Sequence, residues 1–181
     1  MDSNRETLSP ANFSLDVATE KDLPDVWQII DANSDWLVSQ GHTHWKEWYT
    51  KDLVAEKIAH GHQFIAKKDG VAVGTVNLDT KHVGYYLPEE IAQFEEPDAP
   101  ALYIGALGVT PEYHNQGIGS EIMNLAEEYA RKLGLQLIRF DCKAALDDLV
   151  RFYTTKGYAH VGDIIDHSQN DALYYLMEKK L

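Results

Sequence analysis

The stretch ALYIGALGV at residues 101–109 constrains the fold most, because nearly all of its residues are apolar. A strand of that kind is buried on both faces and lies in the middle of a sheet. Residues 118–133 then show the apolar spacing of an amphipathic helix, and LQLIRFDC at 135–142 is a second buried strand. This strand–helix–strand order predicts an α/β domain.

The sequence before residue 80 predicts a strand, two helices and a hairpin. FSLDVAT at 13–19 alternates apolar and polar residues, as a half-buried strand does. Helices are expected over 21–40 and 49–60, followed by Gly41 and Gly61. Asp69 and Gly70 form the turn of a hairpin between strands at 62–70 and 71–80.

Residues 80–100 break this pattern with three prolines and five acidic residues, which predicts an inserted loop with a helical turn. A helix at 145–156 and strands at 158–165 and 173–181 complete the chain. We therefore expect about seven strands and four helices in one domain at 13–181, after a flexible leader at 1–12.

The net charge of −13 argues against a nucleic-acid binder, which usually shows a basic surface. An acidic surface instead attracts cationic small molecules. No apolar run approaches the roughly 20 residues that span a bilayer. The polar start of the chain shows no apolar signal core, and the single cysteine, Cys142, cannot form an internal disulfide. These features predict a cytoplasmic protein without membrane or nucleic-acid partners.

The segment TPEYHNQGIGSEI at 110–122 leads from a strand into a helix through two glycines. A helix N-terminus exposes unpaired N–H groups and binds anions without a lysine. The segment lacks the Lys of a Walker loop, and it does not complete the dinucleotide fingerprint. Taken alone, the pattern fits a phosphate-binding loop and a structural helix cap equally well.

The longer stretch LGVTPEYHNQGIGSEIMNLAEEYARKLG resembles the acetyl-coenzyme A signature of the GNAT N-acetyltransferase superfamily. The resemblance implies a single mixed, mostly antiparallel sheet of about seven strands flanked by about four helices. It also implies that the loop wraps the coenzyme pyrophosphate. His114 departs from the Arg or Gln that is usual there, although a neutral imidazole can donate one hydrogen bond.

A second stretch, IRFDCKAALDDLVRFYTTKGYAHVG, resembles a later motif of the family. Leu149, Tyr153, Gly157 and Tyr158 match it, whereas Leu146 replaces the usual Asn. The two stretches together imply a set of coenzyme-binding residues: Leu107, Gly108, Val109, His114, Asn115, Gln116, Gly117, Ile118, Gly119, Ser120, Leu149 and Tyr153.

The resemblance further implies two catalytic groups. The backbone N–H of Leu107 would stabilise the oxyanion, and Tyr153 would act as the general acid for the departing thiolate. The strand YIGALGV has no acid for the general base, which leaves His42, His44 and Asp141 as candidates. We expect no metal, and we expect Cys142 to be inert because a buried thiol is a poor nucleophile.

These features predict an enzyme that transfers acetyl groups from acetyl-CoA directly to a primary amine of a small molecule or peptide. Alternatives are a catalytically weak acyl-CoA-binding sensor or partner module, and a nucleotide-dependent enzyme. A homodimer also stays open. The departures at His114 and Leu146, and the missing strand acid, keep the sensor open, whereas the nucleotide-dependent enzyme lacks support because both glycine fingerprints are missing.

Overall fold

The computed structural model describes residues 12–82, 84 and 86–181, so the predicted leader lies outside the described residues except for Asn12. Seven strands pair in the order β1-β2-β3-β4-β5-β7-β6. β4 and β5 are parallel, whereas β1–β2, β5–β7 and β6–β7 are antiparallel. The predicted mixed, mostly antiparallel sheet is therefore confirmed. The strands are β1 Phe13–Val17, β2 Gln63–Lys68, β3 Val71–Asp79, β4 Leu102–Val109, β5 Leu137–Lys143, β6 Ala159–Asp166 and β7 Ala172–Lys180.

The described residues form six helices rather than about four. They are α1 Leu23–Ser39, α2 His44–Trp48, α3 Lys51–Ala59, α4 Pro88–Ile91, α5 Ile118–Lys132 and α6 Asp147–Thr155. The helix missing from the sequence prediction is α2, whose five residues are too short to show a helical repeat. α4 is the helical turn expected in the insert.

The chain divides into two units. The first runs to Val76 and also includes Gly108–Ile122. Within it, α1 and α3 bury one apolar face around a cluster that Trp27, Trp45 and Tyr49 cover. The members of this cluster are Ala18, Val26, Ile30, Val54, Ile58 and Ile65.

The second unit comprises Asn77–Leu107 and Met123–Leu181. Its core includes Phe140 of β5, which contacts the rings of Tyr153 and Tyr158 at centroid distances of 4.4 and 5.0 Å. The single domain at 13–181 stays a prediction. No helix in the described part of the chain is long and apolar enough to cross a bilayer, and the cytoplasmic location stays a prediction.

Candidate functional site

The connection from β4 to α5 contains two residues with left-handed backbone. The φ angle is +59° at Asn115 and +80° at Gly117. Glycine enters this region without a Cβ clash, and asparagine is among the other residues that tolerate it best. These two residues turn the chain so that α5 begins at Ile118, directly after the second of them.

The first turn of α5 presents backbone N–H groups without carbonyl partners from the helix. The N–H of Glu121 donates to the carbonyl of Gly117 over 3.0 Å. Ile118, Gly119 and Ser120 precede Glu121, so helix geometry supplies no acceptor for their amides. Residues 110–122 contain no Lys or Arg. The positive potential that attracts an anion is therefore provided by these amides and the helix dipole. The loop therefore has the donor set that a phosphate requires.

Two side chains of the loop form hydrogen bonds to backbone carbonyls a few residues earlier. His114 Nε2 lies 2.8 Å from the carbonyl oxygen of Val109, so it donates its proton there. The ring of Trp36 meets the His114 ring edge-on at a centroid distance of 5.0 Å. Gln116 Nε2 donates to the carbonyl of Glu112 over 3.1 Å. A neutral His114 has a single N–H, so none is left for a phosphate.

β4 is irregular near its C-terminal end. Ala106 has φ of +46° in mid-strand, a conformation that costs of order 1–3 kcal/mol in a residue with a side chain. Gly108, two positions after this left-handed residue, is a point of close approach, because a Cβ there would lie 3.2 Å from Asn33 and 3.4 Å from Trp45.

The parallel pairing of β4 with β5 is short. Leu102 pairs with Ile138 and Tyr103 with Arg139 at the start of both strands. β5 continues in register with β7 as far as Lys143, which pairs with Tyr174. Leu107, the predicted oxyanion donor, is thus four residues beyond Tyr103, the last β4 residue that pairs with β5.

Tyr153 is buried in the second unit, against Phe140 and Phe152. Burial raises the pKa of its hydroxyl well above the ordinary value, and the nearby Cys142 and Asp141 raise it further. The phenol is therefore protonated at neutral pH, as a general acid must be. The raised pKa makes full proton transfer harder than for an exposed tyrosine.

Leu149, the other α6 residue expected at the coenzyme, is half-buried in the first turn of the helix. Leu146 is the residue before α6, and its carbonyl accepts the N–H of Leu149 over 2.9 Å. An Asn at this position could cap the helix with its side chain, and Leu cannot.

The three candidate bases have different surroundings. His44 is buried in the first unit, with its ring 5.8 Å from that of Trp48 and 6.3 Å from that of His42. Asp141 is half-buried in the second unit, and the hydroxyl of Tyr86 donates to its Oδ1 over 2.6 Å. The structure therefore gives Asp141 a positioned partner that sequence reasoning did not foresee.

Cys142 is buried, and burial together with the charge of Asp141 raises the pKa of its thiol to about 12. The thiolate that nucleophilic catalysis needs is therefore scarce at neutral pH. Among the described residues, no three His, Cys, Asp or Glu side chains are grouped so that they could hold a metal ion.

The insert is held to the second unit by Arg139, whose side chain is fully buried. Its guanidinium donates to the Glu178 carboxylate and to the carbonyl of Glu96, each over 2.6 Å. Longer bonds of 3.3 and 3.4 Å reach the carbonyls of Pro97 and Ala99. A lone Arg in the apolar run LIRF was the sequence signal for this clamp, since a buried charge requires partners.

Comparison with known proteins gives the same family as the motifs. The sequence model of the acetyltransferase (GNAT) family matches residues 25–158, well over half of the chain. The uncharacterized N-acetyltransferase YesJ of Bacillus subtilis is 24% identical over 97% of this chain and 94% of its own. The aminoalkylphosphonate N-acetyltransferase of Salmonella typhimurium is 26% identical over 85% of this chain and 89% of its own.

Solved structures share the fold. An acetyltransferase of the GNAT family from Listeria monocytogenes superposes with a TM-score of 0.75 at 17% identity, covering 93% of this chain and 95% of that one. The PaiA N-acetyltransferase of Thermoplasma acidophilum, in complex with coenzyme A, gives 0.65 at 16% identity, covering 93% and 99%. The predicted fold class and an acyltransferase acting on amines are confirmed, and the chain belongs to the acetyltransferase (GNAT) family.

Proposed function

We propose that this chain transfers the acetyl group of acetyl-CoA directly to the primary amine of a cationic acceptor. The observation that carries the proposal is the loop at 110–117, which turns at Asn115 and Gly117 and delivers three unpaired amides at the start of α5. A loop that relies on amides rather than on lysines suits a pyrophosphate that the backbone approaches closely.

Acetyl-CoA supplies an activated thioester, and the backbone amides of residues 114–120 would hold its pyrophosphate. The pantetheine arm would follow Leu107, Gly108 and Val109, where β4 has lost its pairing with β5. Leu107 directly follows the strained Ala106, so its N–H can point away from the regular ladder. This N–H would stabilise the oxyanion that develops on the thioester carbonyl.

The acceptor must lose two protons in the reaction. A lysine-like amine of pKa near 10.4 is neutral at pH 7 about once in 2,500 molecules, which costs roughly 4.6 kcal/mol. The neutral nitrogen forms the C–N bond as the C–S bond breaks. Of the three ammonium protons, one stays on the amide, one reaches the sulfur, and one leaves to solvent.

Tyr153 is the proposed partner of the departing sulfur. At an ordinary pKa its proton transfer to a thiolate is uphill by about 2 kcal/mol, and burial increases that difference. The role that fits best is therefore a strong hydrogen bond as the C–S bond breaks. Tyr153→Phe keeps the ring and its contact with Phe140, so kcat should fall by about 10²–10⁴ with little change in coenzyme affinity. An unchanged kcat at saturating substrate would show that Tyr153 only packs in the core.

The Gly119→Glu variant tests whether the start of α5 binds acetyl-CoA. The substitution places bulk and negative charge beside the α5 amides, and it should remove measurable acetyl-CoA binding in calorimetry. Leu133→Glu is the matched control, because it adds the same charge at an exposed position beyond the other end of α5. If a folded Gly119→Glu protein binds acetyl-CoA as tightly as the parent, the site assignment is wrong.

The cationic acceptor is inferred from charge. The chain totals −13, and the insert carries Glu89, Glu90, Glu95, Glu96 and Asp98. Four of these are exposed, whereas Glu90 caps α4 by accepting the N–H of Leu87 over 2.7 Å. Exposed carboxylates concentrate cations and repel anions. The homodimer stays a prediction.

A catalytically weak acyl-CoA-binding sensor or partner module is the second candidate. It is favoured by His114, whose Nε2–H donates to Val109, and by Leu146, which has no polar group for the coenzyme. Turnover of acetyl-CoA with a panel of primary amines separates the two functions. A sensor would bind acetyl-CoA and release no thiol above the rate without amine.

A further inference from the structure

Four residues of β4 and β5 share one face of the second unit. Tyr103 and Arg139 are neighbours on it, because an Arg139 N–H reaches the Tyr103 hydroxyl over 3.5 Å. Side chains two positions apart in a strand lie on the same face. Gly105 and Asp141 therefore follow Tyr103 and Arg139 on this face.

Gly105 and Asp141 each lie two residues beyond the pair that Tyr103 forms with Arg139. Gly105 has no side chain, and a Cβ added there would lie 3.8 Å from Asn77. Position 105 thus contributes no side chain to this face.

One aromatic residue of the insert contacts this carboxylate, and two more rings continue the aromatic group. Tyr86 is buried, and its hydroxyl donates to Asp141 Oδ1 over 2.6 Å. The ring of His82 stacks on that of Tyr86 at 6.4 Å and meets that of Tyr103 edge-on at 6.1 Å. A carboxylate held by a tyrosine suits a cation, because the negative charge attracts it and an aromatic ring can add to that attraction.

We propose that Asp141 binds the nitrogen of the acceptor, a primary alkylamine, and that Tyr86 positions the carboxylate. This inference rests on the proposed function. A carboxylate can accept about four hydrogen bonds, so it can take the bond from Tyr86 and an amine N–H together. Leu107 is two residues beyond Gly105, within about 7 Å along the strand, which places the amine near the proposed oxyanion donor.

The test compares three primary amines of similar length: 1,4-diaminobutane, butylamine and 4-aminobutanoate. Asp141→Asn keeps the shape of the side chain and removes its charge. We expect kcat/KM for 1,4-diaminobutane to fall by about ten- to hundredfold, mainly through a higher amine KM, with the KM for acetyl-CoA unchanged. Glu128→Gln, an exposed change of equal charge on α5, should stay within about twofold of the parent.

Tyr86→Phe tests the positioning role separately and keeps the test open if Asp141→Asn does not fold. Removing one hydroxyl should raise the amine KM by about three- to tenfold and leave the KM for acetyl-CoA unchanged. A parent protein that acetylates none of the amines overturns the proposed function and this inference with it. A parent that acetylates them, with both variants within about twofold of its amine KM, overturns this inference alone.

Discussion

The loop at 110–117 and the insert at 80–100 both adjoin β4, yet different kinds of contact hold them. In the loop, His114 and Gln116 bond to backbone carbonyls five and four residues earlier. In the insert, Tyr86 and Gln93 bond to residues 55 and 70 positions away. These side-chain hydrogen bonds of the loop are thus local, whereas those of the insert reach β5 and β6.

Under the proposed function, this difference would separate coenzyme binding from acceptor selection. A pyrophosphate is the same in every acetyl-CoA molecule, so a loop with local side-chain hydrogen bonds can recognise it. An acceptor site must differ between relatives, and an insert fastened by a few side chains can change without disturbing that loop. Substitutions in the insert should therefore alter stability and acceptor choice, while those in the loop should alter coenzyme affinity.

The largest expected effect is that of Arg139→Met. It leaves the Glu178 carboxylate buried without its cation and removes the donors from the carbonyls of the insert. Breaking one side of a buried ion pair costs about 3–5 kcal/mol. Denaturant unfolding measures the loss, with Arg151→Met as control, because Arg151 pairs with Asp148 at an exposed site. A loss under about 1 kcal/mol would show that the clamp contributes little.

The next effect concerns Gly162 in β6, which faces Gln93 of the insert. A Cβ at Gly162 would lie 2.6–2.8 Å from the side chain of Gln93, which itself bonds twice to the backbone of Asp163. Gly162→Ala should therefore destabilise the protein by about 1–3 kcal/mol.

A double-mutant cycle sharpens this prediction. Gln93→Ala removes the side chain that the new methyl would strike, so Gly162→Ala should cost less in that background, with a coupling of about 0.5–3 kcal/mol. Additive free energies of unfolding would mean that the insert moves away from β6 without penalty.

Gly117→Ala sharpens the loop side of the comparison. The left-handed backbone at Gly117 disfavours a side chain by about 1–2 kcal/mol, although no atom within 4 Å would meet the Cβ. Gly61→Ala is a matched control, since Gly61 has φ of +72° and is equally open. Both variants should lose similar stability, and only Gly117→Ala should lose affinity for acetyl-CoA. Equal affinities in the two variants would contradict the assignment of the loop.

The same contrast explains what the sequence could predict. The loop and α5 could be predicted because the effects of glycines and of apolar helix spacing extend over only a few residues. Gly117 and Ile118 lie at the helix start that this spacing predicts. The seven strands were readable from their apolar runs. The bond from His114 to Val109 could not be predicted from the sequence, because it depends on how the turn closes.

The contacts of the insert were harder to predict from the sequence, because they join distant parts of the chain. Nothing local to Tyr86 indicates that its hydroxyl meets Asp141, and nothing local to Gln93 indicates a bond to Asp163. Ala106 carries the left-handed backbone of β4 although its own side chain gives no sign of it. Such positions are set by the packing of whole elements, which a single sequence does not display.

The smallest expected effect concerns the exposed acids of the insert. If Glu95, Glu96 and Asp98 draw in the acceptor, kcat/KM for a cationic amine should exceed that for an anionic one at low salt. The Debye length is about 10 Å at 0.1 M salt, so this part of the preference should shrink as salt rises.

Selection by Asp141 should depend less on salt, because a contact at hydrogen-bond distance is screened far less than exposed charges are. The combined change of Glu95 and Glu96 to Gln and Asp98 to Asn should therefore remove the salt-dependent part of the preference, a few-fold effect, and leave the remainder. The measurement is kcat/KM for 1,4-diaminobutane and 4-aminobutanoate across a salt series, in the parent and in this variant. A preference that salt does not change would reject steering by the insert, and equal rates for both amines would reject the cationic acceptor.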